Sequence, residues 1–307
     1  MDRRTSLCVM FSLACANSPA TDEDSGTTAG SSTGQVGDDG TTATTGASST
    51  TAAATTAADT TVADATTAAD SGSGEDDGGS STGAPAIAPA DLLDLAAWKL
   101  TLPIARDEPD QPLEILQPEL GTYAIEPWFH LDDAATAVVF RANAGGVTTN
   151  NSGYPRAELR EMANDGLDPA SWSTSDGVHS MTITQAITHL PDAKPHVVAG
   201  QIHDASDDVV MIRLEGSHLF VEGGGDELGD LATDYVLGTT FTVMLRASEG
   251  AIDIFYEDLS TPVVSIERDV DGCYFKAGVY TQSNPEHGDE PDAYGEVVIS
   301  ELVVTHA

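Results

Sequence analysis

The chain has 307 residues, and its 12 Lys and Arg face 50 Asp and Glu, for a formal net charge of −38. So acidic a chain lacks the basic face that a nucleic-acid backbone requires, which excludes that class of partner. Only Cys273 lies beyond residue 15, which excludes a disulfide-stapled fold.

Arg3 and Arg4 precede an apolar run from Leu7 to Ala14 that ends at Cys15. A charged start and an apolar stretch too short to span a bilayer read as an export signal over residues 1–15. Leu13-Ala14-Cys15 fits lipoprotein processing, with Cys15 acylated as the first mature residue. Ser12 stands where such signals usually carry leucine, so simple cleavage stands beside it. Either route makes the protein exported, secreted or anchored at the outer membrane. Residues 16–85 are dominated by Thr, Ala, Ser, Gly and Asp, with no Lys or Arg. Such a segment cannot bury enough apolar surface to offset its ordering entropy, which predicts a disordered, self-repelling tether.

The composition changes over residues 86–307, a length sufficient for one β-rich domain with a sizeable core. No apolar period of helical type runs beyond about two turns. Short runs of Val, Ile, Thr, Phe and Tyr are broken instead by Gly, Asp, Asn and Pro. Trp98 to Leu102 reads as the first strand, with Pro103 ending it. Ala137 to Arg141 follows, before a turn at Gly145-Gly146. Further strands are expected over 180–190, 196–204, 209–214, 218–221, 241–247, 251–256, 263–267, 273–282 and 295–305. Thr136 to Phe140 and Val297 to Val304 are candidates to pair at an edge. So many antiparallel-looking strands in one domain predict an all-β jelly-roll sandwich of two sheets. From Asp91 onward ten Lys and Arg face thirty-eight Asp and Glu. Cations are therefore scarce, and where they cluster is informative.

Two of them sit in Pro155 to Glu161, PRAELRE. On a strand, Arg156, Glu158 and Arg160 share one face and Ala157 and Leu159 the other, neighbours on a face standing roughly 6.5–7 Å apart. A carboxylate between two guanidiniums can hydrogen-bond both and hold their forks in place. A solvated surface strand would look the same. Ala199 to His203 puts Gln201 and His203 on one face, an amide beside a titratable base, or a hydrogen-bonded histidine on a half-wet sheet. Cys273 to Gln282 puts Tyr274, Lys276, Gly278, Tyr280 and Gln282 on one face. Gly278 there leaves room for a ligand to approach the backbone. Cys273 itself reads as a small buried apolar residue.

PRAELRE, QIH and YFKAGVYTQ, in that order, resemble the three motif strands of the polysaccharide lyase family 7 alginate lyases. Trp98 to Pro103 resembles the opening of that domain, and the resemblance covers Asp91 to Ala307. It implies a groove on a concave sheet, alginate as the substrate, and β-elimination as the reaction. It implies that Arg156 and Gln201 meet the uronate carboxylate and that His203 and Tyr280 transfer protons. Arg160, Lys276 and Gln282 are implied as substrate contacts, and Glu158 as the organiser of the arginines. Ala157 departs from the Ser or Thr often found there, on the face away from the groove. No metal or other cofactor and no partner chain is implied; the chain is expected to act as a monomer.

The chemistry is consistent with those roles. Removing the C5 proton of a uronate builds charge on an already anionic carboxylate, which Arg156 and Gln201 can neutralise. A neutral His203 can take that proton, and Tyr280 can protonate the leaving oxygen. Tyr280 can also act as base if Arg156 and Lys276 favour its phenolate. In mannuronate the C5 proton and leaving oxygen share a face, so one group can serve both. In guluronate they lie on opposite faces and a second group, His203, is needed. Within the family the QIH form is associated with guluronate blocks, which Ile202 here matches.

Rival readings are weaker. The eight histidines contain no H-x-H and no H-E-x-x-H for a metal hydrolase. Asp204, Asp207 and Asp208 read as a solvated turn ahead of a Ca²⁺ site. Gly223-Gly224-Gly225 is not followed by the G-K-[ST] of a phosphate loop; it reads as a hinge or turn, with a mobile lid as the other option. A glycoside hydrolase would need a close carboxylate pair on an inward face. A non-catalytic acidic-polysaccharide-binding module would keep the cations without needing both His203 and Tyr280. A lyase acting on another polyuronate such as glucuronan is the remaining alternative.

Overall fold

The computed structural model describes residues 87–106, 110–150 and 152–307. The leader, Cys15 and the tether over 16–85 lie outside the described residues. Among the described residues, a four-residue helix, Pro89–Leu92, precedes the strands. The first strands are β1 (Trp98–Ala105), β2 (Pro112–Ile115), β3 (Phe129–Leu131), β4 (Val138–Asn143), β5 (Arg156–Ala163) and β6 (Asp168–Pro169). Then come β7 (Val178–His189), β8 (His196–His203), β9 (Asp208–Glu215), β10 (His218–Gly223) and β11 (Asp226–Ala232). The last are β12 (Phe241–Ser248), β13 (Ala251–Tyr256), β14 (Val264–Glu267), β15 (Tyr274–Thr281) and β16 (Tyr294–His306).

They form the two antiparallel sheets of a jelly-roll sandwich. The first runs β11-β10-β9-β8-β15-β5-β1-β2, with β6 on β5; the second runs β14-β13-β12-β7-β16-β4-β3. Period-2 patterning explains which residues meet between them. In β12 burial alternates strictly, with Phe241, Val243, Leu245 and Ala247 inward. Opposite them Leu100, Leu159, Ile202, Phe275 and Val279 are fully buried, as are Phe140 and Ile299 from the second sheet. The centre of the first sheet breaks that alternation. In β5, β8 and β15 both faces are largely buried, although only one is apolar. Polar side chains have therefore been taken out of water on the outer face, which requires that they satisfy one another.

Several expectations change. Pro103 does not end the first strand; β1 runs through it to Ala105. Its pairing with β5 ends at Thr101, and an irregularity in the β1–β2 ladder falls between Leu102 and Ala105. Proline has no N–H to donate, but its carbonyl still accepts from Val147 N at 2.9 Å. β4 does pair with β16, Phe140 opposite Val297, but not at an edge: β16 lies between β7 and β4, and β3 is the outer strand. β11 escaped the sequence reading because Asp226–Ala232 holds no β-branched or aromatic residue. It pairs β10 through a tight turn in which Gly224 and Gly225 have φ of 63° and 84°, values a two-residue hairpin favours. The triple glycine is thus a hairpin turn, and none of its residues lines the groove.

Candidate active site

The outer face of the first sheet carries a groove of about 520 Å³. Arg156, Glu158, Arg160, Gln201, His203, Lys276, Tyr280 and Gln282 all line it. Strand register assembles them. β15 lies between β8 and β5, pairing Lys276 with both Gln201 and Arg160, Tyr274 with His203, and Tyr280 with Arg156. Three segments far apart in sequence thus become adjacent rows on one surface.

Glu158 sits at the centre and is 1 % exposed. Its Oε2 accepts from Arg156 Nη1 and from Lys276 Nζ, each at 2.9 Å. Its Oε1 accepts from Gln201 Nε2. Burial alone would push this carboxyl up, but the Lys276 ammonium and the Arg156 guanidinium outweigh it and hold it below the usual carboxylate range. Lys276 lies on the other side of that balance: burial pushes its ammonium down to about 8 against the pull of Glu158. The expected organiser of the two arginines is in fact a hub for one arginine, one lysine and one amide. Arg160 turns elsewhere, donating from Nη1 to the Glu161 carbonyl at 2.9 Å and stacking its guanidinium 3.9 Å from the Tyr274 ring centroid.

His203 and Tyr280 flank this hub. His203 Nδ1 lies 2.7 Å from the Asp204 carbonyl, which can only accept, so Nδ1 carries the hydrogen and Nε2 the lone pair. Burial, helped by Lys276, pushes the imidazole below its ordinary value and keeps it neutral. Tyr274 stacks on the His203 ring with its hydroxyl 3.1 Å from Nδ1. Tyr280 lies under Arg156, whose guanidinium carbon is 3.9 Å from the ring centroid. Its hydroxyl is 3.0 Å from Ser152 Oγ.

Gly278 has a different role from the one expected. Its φ is 127°, and an added Cβ would lie 2.5 Å from the Ala157 carbonyl oxygen and 2.9 Å from Phe140 Cδ1. The space it preserves is in the sheet and core, not the groove. Ala157, 0 % exposed, does point away from the groove. Cys273 is buried and free, and burial pushes its thiol up to about 12.

Sequence reading named no role for Ser152, Lys99, Thr101 or Arg213, which also line the groove. Alternation from Trp98 would have placed Lys99 and Thr101 on one face, but not next to Arg160 and Glu158, their partners across the β1–β5 ladder. Asp204 Oδ1 accepts from Ser206 N at 2.7 Å, Ser206 Oγ at 2.8 Å and Asp207 N at 2.8 Å, so it caps its own turn. Among the described residues, His218, Glu227 and Asp230 lie close enough to share an ion, on the β10–β11 hairpin, and none of them lines the groove.

Residues 93–306 match a protein family described as Alginate lyase. A curated alginate lyase of Klebsiella pneumoniae is 25 % identical over 283 residues, covering 71 % of this chain and 91 % of its own. Among solved structures, an alginate lyase of polysaccharide lyase family 7 is 58 % identical, covers 72 % of this chain and 99 % of its own, and has a TM-score of 0.69. The alginate lyase from a Corynebacterium species is 44 % identical, covering 71 % of this chain and 98 % of its own, with a TM-score of 0.68. A further family 7 relative, at 25 % identity and a TM-score of 0.59, was crystallised with a GGMG substrate. It is a double variant with one histidine changed to asparagine and one tyrosine to phenylalanine; the match covers 73 % of this chain and 98 % of that one.

Proposed function

The chain belongs to the family 7 alginate lyases, and from that premise we propose that it cleaves alginate by β-elimination in this groove, with preference for guluronate-containing blocks. The observation that carries the reading is the buried hub around Glu158, with a neutral imidazole on one side and a phenol on the other. Arg156, Lys276 and Gln201 each spend one donor on Glu158 and retain others for a uronate carboxylate. Because Glu158 fixes them before substrate arrives, little reorganisation is needed as charge builds on that carboxylate. His203 Nε2 takes the C5 proton, and the C4–C5 double bond forms. The C4–O bond breaks with its electron pair on the leaving oxygen, which receives the Tyr280 proton. On mannuronate Tyr280 serves both steps. Arg160 and Gln282 contact flanking sugars.

The substituted histidine and tyrosine of the substrate-bound relative are the same two residue types. The guluronate preference itself rests on the association of Ile202 with that substrate. Ile202 is wholly buried on the core side of β8, so its influence must pass through strand position. The leader and Cys15 extend the proposal to an exported enzyme, secreted or lipid-anchored and acting as a monomer.

The test is the ultraviolet absorbance of unsaturated uronates released from polyguluronate and from polymannuronate. His203→Asn should lose more activity on polyguluronate, and Tyr280→Phe should lose both. Equal losses for His203→Asn on the two polymers would refute the division of labour. A wild-type preference for polymannuronate would refute the inference from Ile202, and retention of polymer without any absorbance would leave only a binding module.

A further inference from the structure

Ser152 has a specific relation to Tyr280. Its Oγ lies 3.0 Å from the Tyr280 hydroxyl, accepts from Arg156 Nη2 at 3.3 Å and from Tyr154 N at 3.3 Å, and donates to the Tyr154 carbonyl at 3.1 Å. A serine hydroxyl has two lone pairs and one hydrogen. The two N–H donors occupy both lone pairs. Oγ therefore has no lone pair left to accept from the Tyr280 hydroxyl, and its one hydrogen has two acceptors within reach, the Tyr154 carbonyl and the Tyr280 oxygen. The phenolic hydrogen is left free to point into the groove.

We propose that Ser152 is a positioning residue for Tyr280, donating to the phenolic oxygen so that the phenol's own proton faces the leaving oxygen and the resulting phenolate is hydrogen-bonded. This rests on the proton-transfer role given to Tyr280 above. When the C4–O bond breaks, its electron pair stays on the glycosidic oxygen and the Tyr280 proton moves to it, leaving the negative charge on the Tyr280 oxygen. The Ser152 hydroxyl has a second acceptor, the Tyr154 carbonyl, and the new charge draws it to Tyr280, because a hydrogen bond to an anion is the stronger one. On mannuronate the same bond supports the phenolate that first takes the C5 proton. Arg156 joins the same unit: its guanidinium covers the Tyr280 ring, donates to Ser152 and is fixed by Glu158.

The test compares Ser152→Ala and Ser152→Thr in the full chain, on alginate oligomers. A hydrogen bond to a charged group is worth enough that Ser152→Ala should lower kcat by about tenfold to a hundredfold, with KM nearly unchanged. Ser152→Thr keeps the hydroxyl and should recover most of that loss. In a Tyr280→Phe background there is no phenolate to support, and Ser152→Ala should change the residual rate by less than about twofold. A loss confined to KM, no recovery with threonine, or an equal loss in the Tyr280→Phe background would overturn the assignment. If instead Tyr280→Phe itself turns over at the wild-type rate, the reading of Tyr280 fails first, and the assignment of Ser152 with it.

Discussion

Replacing Glu158 with Gln keeps the shape of the hub but removes its one negative charge. Arg156 and Lys276, 8 % and 7 % exposed, would then face each other without a counter-charge. Breaking a buried ion pair from one side costs about 3–5 kcal/mol. Lysine can escape part of that cost by losing its proton. In the wild type Glu158 opposes the effect of burial on Lys276, which titrates near 8. Without that pull the Lys276 pKa falls further. Between the variant's value and about 8, the wild-type fold holds a proton at Lys276 that the variant fold does not. Raising the pH through that window therefore removes an advantage of the wild type, and the penalty of the substitution shrinks by about 1.4 kcal/mol per pH unit. Urea unfolding of the full chain at pH 7 and pH 9 measures this. The expected result is a markedly lower midpoint for Glu158→Gln at pH 7 and a smaller gap at pH 9. Equal midpoints at pH 7, or a gap that widens with pH, would refute the hub as described.

Arg156→Lys should be severely impaired in turnover although it keeps its charge, since an ammonium cannot reach Glu158, Ser152 and a substrate carboxylate at once with a planar fork; near-normal kcat/KM would move the carboxylate contact elsewhere, with Arg160 the first candidate. Gly278→Ala should lower stability by at least about 2 kcal/mol, combining a strained φ with a Cβ pressed on the Ala157 carbonyl and Phe140; an unchanged thermal midpoint would contradict the close packing seen there. Activity on polyguluronate should persist down through the ordinary histidine range of about pH 6.5, because His203 is held neutral below its usual value; an acid limb above pH 7 that disappears in His203→Asn would reverse that sign.

Much of the site was legible in the sequence because a strand has a period of two. Alternation alone put Arg156, Glu158 and Arg160 on one face, Gln201 and His203 on another, and Lys276 and Tyr280 on a third. It also gave the sandwich, since so many short half-apolar strands in one domain require a second sheet to cover the first. Alternation says nothing about neighbours. That Lys276 lies between Gln201 and Arg160, and that β16 sits inside its sheet, follow from long-range pairing that no local pattern encodes. Only the folded chain shows that Glu158 binds Lys276 and Gln201 as well as Arg156, while Arg160 turns away. Gly278 looked like room for a ligand because a period-2 pattern assumes ordinary strand dihedrals, and at φ 127° a Cβ would point elsewhere. Ser152 lies before the strand, in a turn with no periodicity to read. Its place against the Tyr280 hydroxyl is set where β5 and β15 pair, 128 residues apart in sequence. The sequence by itself determined which side chains within one strand share a face; the tertiary structure decided which strands bring those faces to the groove and which side chains touch there, because contact depends on strand order and register, and these are properties of the whole sheet.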